Sequence, residues 1–403
     1  MAIWIDPPAW PARGRVWSHL ASDASYAELH AFAAANGVPR RGFERDHYDV
    51  PEQSFAALVA AGATPTSSRE LVRRLHDAGL RRRKSEVPAR RAPGNPLLRP
   101  PRLRPGDLVA VPATAGVVWQ ERLAPGVARL ESWGLRVRVG SHVLDRADGL
   151  SYLAGEDADR AADFTTAWQD PEVKAVVVAR GGFGTQRMVD LVDWRRLAEA
   201  GPKILVGFSD ATALHMAVAS RLGLASVHGH VATSLGAATE PSATVLRRLL
   251  MQPEQVDDLL DGRPASSLVN GVADGVLLGG NLMVISAETG TDTARPARGA
   301  IVILEEVGEP PYRIDRQLTQ LLRSGWFDRV RGIVCGAFTR CGDPVEVDEV
   351  LRRRLTPLGV PMVTGVDLGH TPTTLSIPLG VRAILDVPTH GAAALRLALP
   401  PFT

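Results

Sequence analysis

The sequence predicts an α/β protein: a Rossmann-like parallel-sheet sub-domain, then a β-rich C-terminal sub-domain, with a small α/β domain in front of both. Three observations predict this. The 403 residues exceed one ordinary domain. Short apolar runs alternate with helical stretches, as in a buried parallel sheet. A segment rich in proline and arginine separates the first fifth of the chain from the rest.

Residues 1–82 are predicted to form the small domain. It opens with a strand-like run, Ala2–Asp6, and its apolar spacing indicates helices at Tyr26–Ala35 and Ser68–Leu80. Gly79 is suited to end the second helix. Residues 83–103, dominated by proline and arginine, are predicted to be a solvated, extended linker. No aromatic side chains interleave to stack on bases, so nucleic acid is not an expected partner.

The α/β pattern begins after this linker. Strands are predicted at Leu108–Pro112, Leu135–Val139, Ala175–Ala179 and Ile204–Gly207, and helices at Arg122–Trp133, Arg160–Gln169 and Ala211–Leu222. The rhythm breaks near residues 252–273. We therefore place one sub-domain at 104–255 and a second at 271–403, with strands at Gly275–Asn281, Ala300–Leu304 and Arg331–Gly336.

Composition excludes several classes of protein. Two cysteines, Cys335 and Cys341, are too few for a disulfide framework or a cysteine zinc site. The first residues lack the pattern of a signal peptide, and no apolar run is long enough to span a membrane. A cytoplasmic protein is expected.

Ser209 lies where an apolar strand gives way to a helix, in Gly207-Phe-Ser-Asp-Ala211. Serine and aspartate begin helices because their oxygens accept hydrogen bonds from unpaired backbone N–H groups. A serine on a tight strand-to-helix turn is also where many hydrolases hold their nucleophile. The residues alone leave both interpretations open.

A nucleophilic serine needs a base and an acid that orients the base. His370 lies on a glycine- and proline-rich loop, where catalytic groups are often found, whereas His228 and His230 follow the serine more closely. Glu305 and Glu306 end an apolar strand, facing either a cleft or solvent. The turn from Arg180 to Gly184, RGGFG, has backbone N–H groups suited to a phosphate or an oxyanion.

Together these segments resemble the LD-carboxypeptidases, serine peptidases that include the muramoyl-tetrapeptide carboxypeptidases. The resemblance covers about residues 102–399, and seven segments in family order carry it: Leu103-Arg-Pro-Gly-Asp-Leu108, Arg180-Gly-Gly-Phe-Gly184, Gly207-Phe-Ser-Asp210, Val227-His-Gly-His230, Gly279-Gly-Asn-Leu282, Leu304-Glu-Glu-Val-Gly-Glu309 with Tyr312, Arg313 and Arg316, and Gly369-His370 with Ile377-Pro-Leu-Gly380. His230 departs from the family's usual proline, and Pro112-Ala-Thr-Ala-Gly116 from its P-S-S-like turn.

The resemblance implies a catalytic triad of Ser209, Glu305 and His370, with Glu305 chosen because it matches the family's first acidic position. It also implies an oxyanion hole made by the backbone N–H groups of Gly182 and Asp210, and no metal or organic cofactor.

Arg180 is the candidate for binding the terminal carboxylate of a substrate, because a guanidinium pairs with a carboxylate through two hydrogen bonds. A structural ion pair is the alternative role for this arginine. The implied activity is release of D-alanine from murein tetrapeptides in the cytoplasm by a homodimer. Two alternatives stay open: a microcin-immunity-like hydrolase of peptidyl or aminoacyl adenylates, and a non-catalytic binding module.

With the runs Trp17-Ser-His19 and Arg45-Asp-His-Tyr-Asp49, residues 1–80 resemble a small bacterial domain of unknown function. Five side chains there are candidates for metal ligands or acid–base groups: Asp6, His19, Asp23, His47 and Asp49. Hydrogen bonding within a compact domain is the alternative explanation for them.

Overall fold

The computed structural model describes residues 3–12, 15–44, 46–81 and 94–403. The chain forms two compact units, Met1–Ala89 and Arg90–Thr403. Most of the predicted linker, residues 83–93, lies outside the described residues. Its last part, residues 94–103, packs on the second unit rather than extending into solvent. There Leu97 and Leu103 are buried, and the Arg102 N–H donates a hydrogen bond to the Thr403 carbonyl.

The first unit is an α/β domain built on one small sheet, as predicted. Its strands are β1 Ile3–Ile5, β2 Trp10–Ala12, β3 Arg15–Ser22, β4 Phe43–Glu44, β5 His47–Pro51 and β6 Thr64–Pro65, and its helices are α1 Tyr26–Ala35, α2 Phe55–Ala60 and α3 Ser68–Asp77. The sheet order is β4-β5-β3-β1-β6, with β2 paired to β3. Side-chain caps begin two of the helices: Ser25 accepts from the Glu28 N–H and Ser67 from the Glu70 N–H.

The second unit begins with a mainly parallel sheet, which confirms the Rossmann-like prediction. Its parallel strands are β7 Leu108–Val111, β8 Arg136–Val139, β9 Val173–Val177, β10 Ile204–Gly207 and β11 Ser226–His228. The order β8-β7-β9-β10-β11 brings the carboxyl ends of β7, β9 and β10 side by side. One expectation was wrong: β8 is an edge strand with exposed side chains, and its Arg-Val-Arg-Val alternation fits that place.

Seven helices connect these strands or follow them. They are α4 Gln120–Ser132, α5 Asp157–Gln169, α6 Thr185–Val189, α7 Trp194–Glu199, α8 Ala211–Arg221, α9 Ala232–Leu235 and α10 Glu240–Met251. Helix α8 is buried on nearly all sides, so the turn before it is firmly held.

A second, larger sheet fills the C-terminal part of this unit, as the predicted β-rich sub-domain requires. Its strands are β12 Ser266–Val269, β13 Gly271–Asn281, β14 Ala300–Val307, β15 Gly332–Thr339, β16 Met362–Thr364, β18 Arg382–Val387 and β19 Ala394–Leu397, and its helices are α11 Leu282–Ala287, α12 Pro311–Arg323 and α13 Pro344–Leu355. The strands lie in the order β12-β16-β15-β14-β13-β18-β19.

One C-terminal strand departs from the predicted division at residue 271. Strand β17, Ile377–Leu379, pairs antiparallel with β11 of the first sheet, so the C-terminal segment completes both sheets. The two sheets also share one hydrophobic core, to which Val109, Val206, Ile301 and Leu385 all contribute. Residues on the two sheets are thereby held at fixed separations. Over the described ranges, no helix combines the length and the apolar character needed to cross a bilayer.

Candidate active site

Ser209 lies on the turn between the buried strand β10 and helix α8. Its φ of +62° is in the left-handed region, which non-glycine residues seldom adopt. Neither Ser209 nor Asp210 makes a side-chain capping hydrogen bond to α8; instead, the Thr212 N–H bonds to the Ser209 carbonyl. The helix-capping interpretation of Ser209 therefore has no hydrogen bond to support it. The Ser209 side chain is partly exposed and lies at the carboxyl end of β10.

The glycine-rich turn after β9 lies directly against this serine. A methyl group added at Gly181 would lie 3.0 Å from Ser209 Cβ and 3.1 Å from Ser209 Oγ. The Asp210 carboxylate joins the two turns, because its Oδ2 accepts a hydrogen bond of 2.8 Å from the Thr185 N–H. Within the described part of the chain, the backbone N–H groups of Gly182 and Asp210 donate no hydrogen bond. Two free donors thus stand beside the serine.

Glu305, buried on β14 of the neighbouring sheet, pairs with His370, a partly exposed residue on the loop after β16. His370 Nδ1 lies 2.7 Å from Glu305 Oε2, a hydrogen bond that leaves the imidazole Nε2 for another partner. Gly369, just before His370, must be a glycine. A methyl group there would lie 2.7 Å from Glu305 Oε2, and the φ of Gly369 is +120°. The His370 ring contacts the ring of Phe208, the residue before Ser209, and the two ring centroids are 4.8 Å apart. No hydrogen bond joins Ser209 to His370 among the residues described.

Glu306, the neighbouring carboxylate, has a different environment. It accepts hydrogen bonds from Asn281 Nδ2 at 3.0 Å, from the Met283 N–H at 2.7 Å and from the Val307 N–H at 2.8 Å. These contacts fix the start of α11, and burial raises the pKa of the Glu306 carboxyl. Of the two acids, Glu305 is the one paired with His370.

His228 lies on the other side of Glu305. It is 1% exposed, and its Nε2 is 3.9 Å from Glu305 Oε1, which exceeds hydrogen-bond distance. Burial alone would raise the pKa of the Glu305 carboxyl, but the imidazoles of His228 and His370 outweigh it and lower that pKa to about 2. Glu305 is therefore a carboxylate at neutral pH.

Two further histidines near the serine have structural partners. His230 bonds Ser234 Oγ at 3.1 Å and Ser242 Oγ at 2.8 Å, so both its ring nitrogens are engaged and it is not the base considered from the sequence. His215 was not singled out. It bonds Gly207, just before the serine turn, through Nε2 at 2.8 Å. Burial lowers the pKa of His230 to about 4 and that of His215 to about 3, which keeps both rings neutral.

Arg180 extends from the end of β9 toward the loop after β7. Its Nη1 donates a 2.6 Å hydrogen bond to the Val117 carbonyl, and its guanidinium lies 4.8 Å from the centroid of the Trp119 ring. No carboxylate pairs with Arg180 in the described part of the structure. Burial, then Arg122, lowers the pKa of this guanidinium.

Exposed aromatic residues on these loops were missed by the sequence analysis. Trp119, Tyr152 and Phe183 are each about 40–50% exposed, and the Tyr152 and Phe183 rings lie 6.2 Å apart. Phe183 could have been predicted as a site residue because it lies inside the glycine-rich turn, Arg180 to Gly184. Trp119 and Tyr152 lie outside the sequence motifs, so no pattern pointed to them.

Comparison with known protein families gives three matches along the chain, one in the first unit and two in the second. Residues 109–229 match the LD-carboxypeptidase N-terminal domain, and residues 274–385 match the LD-carboxypeptidase C-terminal domain. Residues 3–78 match a protein family of unknown function, DUF4031. The proposed triad, Ser209, Glu305 and His370, falls within the two LD-carboxypeptidase matches, as do Arg180, Gly182 and Asp210.

Individual relatives agree with this assignment. A putative carboxypeptidase of Streptomyces coelicolor is 50% identical over 305 residues, which is 75% of this chain and 98% of that protein. A probable murein peptide carboxypeptidase of Bacillus subtilis is 33% identical over 295 residues, covering 72% and 91% of the two chains. Both matches span almost the whole relative.

Solved structures agree on the fold. A muramoyltetrapeptide carboxypeptidase from Oxalobacter formigenes is 27% identical, with a TM-score of 0.61 over 73% of this chain and 99% of that one. An MccF-like protein from Bacillus anthracis is 23% identical, with a TM-score of 0.67 over 74% and 99%. At that identity the second likeness concerns the fold alone.

Proposed function

The chain belongs to the LD-carboxypeptidase family, and on that premise we propose that it is a serine carboxypeptidase releasing terminal D-alanine from murein tetrapeptides in the cytoplasm. The observation that carries the proposal is the hydrogen bond between buried Glu305 and partly exposed His370, beside the strained turn of Ser209. The names of the relatives supply the substrate class. Acyl transfer by a serine requires a nucleophile, a base that takes its proton and an acid that orients the base. Ser209, His370 and Glu305 are suited to these three roles.

In the first half of the reaction, Ser209 Oγ attacks the carbonyl carbon before the terminal D-alanine while its proton passes to His370 Nε2. The carbonyl π electrons move to oxygen, which becomes an oxyanion. As the carbonyl re-forms, the C–N bond breaks and the D-alanine nitrogen takes the proton from His370. Glu305 stays ionised and keeps the His370 Nδ1 proton in place.

In the second half, water attacks the resulting ester. His370 accepts a proton from the water and returns one to Ser209 Oγ as the C–O bond breaks, which restores the enzyme. In both halves the oxyanion lies near the free N–H groups of Gly182 and Asp210. Removing one such donor typically costs 10²–10³-fold in rate, or roughly 3 kcal/mol.

Arg180 is proposed to bind the free carboxylate of the substrate. Its guanidinium is half-buried, lies against Trp119 and has no carboxylate partner in the described residues. We expect Arg180→Gln to raise KM about 10- to 100-fold, because a charged hydrogen bond is lost, with a smaller change in kcat. Comparing the tetrapeptide with its C-terminal amide tests this: the variant should lose the preference for the free acid, whereas Arg122→Gln should keep it. An unchanged KM for Arg180→Gln would contradict this role.

The central experiment is product analysis by mass spectrometry on L-Ala-γ-D-Glu-meso-diaminopimelate-D-Ala, with the wild type and Ser209→Ala. We expect D-alanine release by the wild type only. A tetrapeptide ending in L-alanine is the matched control for the L,D bond and should remain intact.

A peptidyl adenylate completes the design. Cleavage of the adenylate but not of the tetrapeptide would replace this proposal with the immunity-type hydrolase. Cleavage of neither would favour a binding module. Release of D-alanine by a well-folded Ser209→Ala protein would rule out the serine mechanism.

A further inference from the structure

A cluster of histidine and aspartate side chains lies on the sheet of the first unit, whose family has no known function. His19 on β3 is the cross-strand partner of Asp49 on β5. His47 precedes Asp49 by two residues on β5, so both side chains face the same side of the sheet. Strand pairing therefore brings two imidazoles and one carboxylate together.

The distances within this cluster suit a metal ion. His47 Nε2 lies 3.2 Å and His19 Nε2 lies 3.9 Å from Asp49 Oδ1. One ligand atom from each of the three residues lies within 4.8 Å of the others. Tetrahedral bonds of about 2.1 Å place ligand atoms about 3.4 Å apart, so small side-chain shifts would make three bonds to one ion.

A buried carboxylate orients each imidazole from behind. His19 Nδ1 lies 2.8 Å from Asp6 Oδ2, and His47 Nδ1 lies 2.6 Å from Asp46 Oδ1, with both aspartate side chains fully buried. Arg81 in turn contacts Asp46 at 2.9 Å. Carboxylates on Nδ1 fix the ring so that Nε2 is available, which is the usual support for metal-binding histidines.

From this arrangement we propose that the first unit binds a divalent transition-metal ion, with zinc the best match, through His19 Nε2, His47 Nε2 and the Asp49 carboxylate. Imidazole nitrogens suit zinc rather than magnesium or calcium, and a carboxylate oxygen often completes a zinc site with two histidines. The His19 and Asp49 side chains remain 24% and 38% exposed, so solvent reaches the cluster. Asp23, also considered from the sequence, contacts Arg74 at 3.3 Å and is not a ligand.

A competing arrangement uses the same residues without metal. A protonated His47 would bridge Asp46 and Asp49 as a purely structural ion pair. The two arrangements differ in one measurable property, because only the first takes up a metal ion.

The test uses the full chain, stripped with chelator and then titrated with Zn²⁺ by calorimetry and with Co²⁺ by visible absorption. Asp49→Asn and His19→Asn each remove one ligand, and His76→Ala removes a 67% exposed histidine of the same unit as the matched control. Circular dichroism confirms that each variant is folded. Neither readout depends on peptidase activity, so the proposed function and this site can fail separately.

We expect the wild type and His76→Ala to bind one more equivalent of Zn²⁺ than the ligand variants, or to bind it at least 10-fold more tightly. The Co²⁺ complex should show the intense visible bands of a low-symmetry, four- or five-coordinate site, and these should be lost in both ligand variants. Metal uptake that is the same in wild type, Asp49→Asn and His19→Asn would overturn the proposal, as would no uptake by the wild type.

Discussion

At the scale of single residues, the acid partner of His370 is decided by which side of β14 a carboxylate faces. Adjacent residues of a strand point to opposite faces, so Glu305 and Glu306 must have different neighbours. The sequence shows two carboxylates at a strand end but not which face is the cleft. In the structure, Glu305 contacts two imidazoles, whereas Glu306 accepts hydrogen bonds from the start of α11.

This difference predicts opposite effects of two conservative substitutions. Glu305→Gln should lower kcat by roughly 10³–10⁴-fold, because the amide no longer fixes the His370 tautomer. Glu306→Gln should leave kcat nearly unchanged but lower the free energy of unfolding by about 1–3 kcal/mol, since one backbone N–H loses its acceptor. Steady-state kinetics and urea unfolding measure the two effects. The opposite pattern would make Glu306 the catalytic acid.

At the scale of elements, the candidate site is made by two consecutive strand-to-helix turns and a loop from the second sheet. The turns after β9 and β10 were predicted from their Gly-rich and Gly-Phe-Ser-Asp segments, because few residues tolerate such tight backbone paths. Their contact was not predictable. It depends on β9 and β10 being neighbours and on the Asp210 carboxylate bonding the Thr185 N–H.

The close approach of these turns makes Gly181 a sensitive position. Gly181→Ala should reduce kcat/KM by at least about 100-fold, because its methyl group would press on the Ser209 side chain and displace it from a productive position. Gly201→Ala, on a loop with open space but a φ of +84°, is the control: it should lower the melting temperature without reducing kcat/KM. Wild-type kcat/KM in Gly181→Ala would mean that the two turns separate in solution.

At the scale of the whole molecule, the second unit encloses neutral histidines that must stay neutral. His215 and His230 have folded-state pKa values of about 3 and about 4, below the ordinary 6.5, because of burial. At these two residues the unfolded chain therefore binds more protons than the folded one below pH 6.5. The stability these groups confer is complete above that pH and declines as the pH falls toward their folded values.

A histidine replacement should show this directly. Between about pH 6 and pH 4, His230→Gln should reduce the slope of unfolding free energy against pH by roughly 1 kcal/mol per pH unit, less than the full value for one proton because the folded-state pKa of about 4 lies at the end of this range. His390→Gln, at an exposed position, should leave the slope as in the wild type. Denaturant unfolding at several pH values measures it. Equal slopes for wild type and His230→Gln would show that the folded and unfolded chains bind a proton at His230 equally, which contradicts the lowered pKa.

Local sequence patterns predicted most elements of both units, but long-range pairings lay beyond them. The apolar runs of β7, β9 and β10 are continuous enough that each strand can be predicted from its own residues. Strand β17 is three residues long and pairs with β11 about 150 residues earlier, and no local pattern encodes that partner. The approach of His370 to Phe208 depends on the same return of the chain to the first sheet.

The return of β17 also limits how genes of this family can recombine. A crossover with a homologue between β11 and β17 would join a parental β11 to a foreign β17, so chimaeras must preserve the Val227–Pro378 register. Crossovers before β7 leave the β11–β17 pair intact. Exchange of the first unit as a cassette is therefore the recombination this architecture tolerates best.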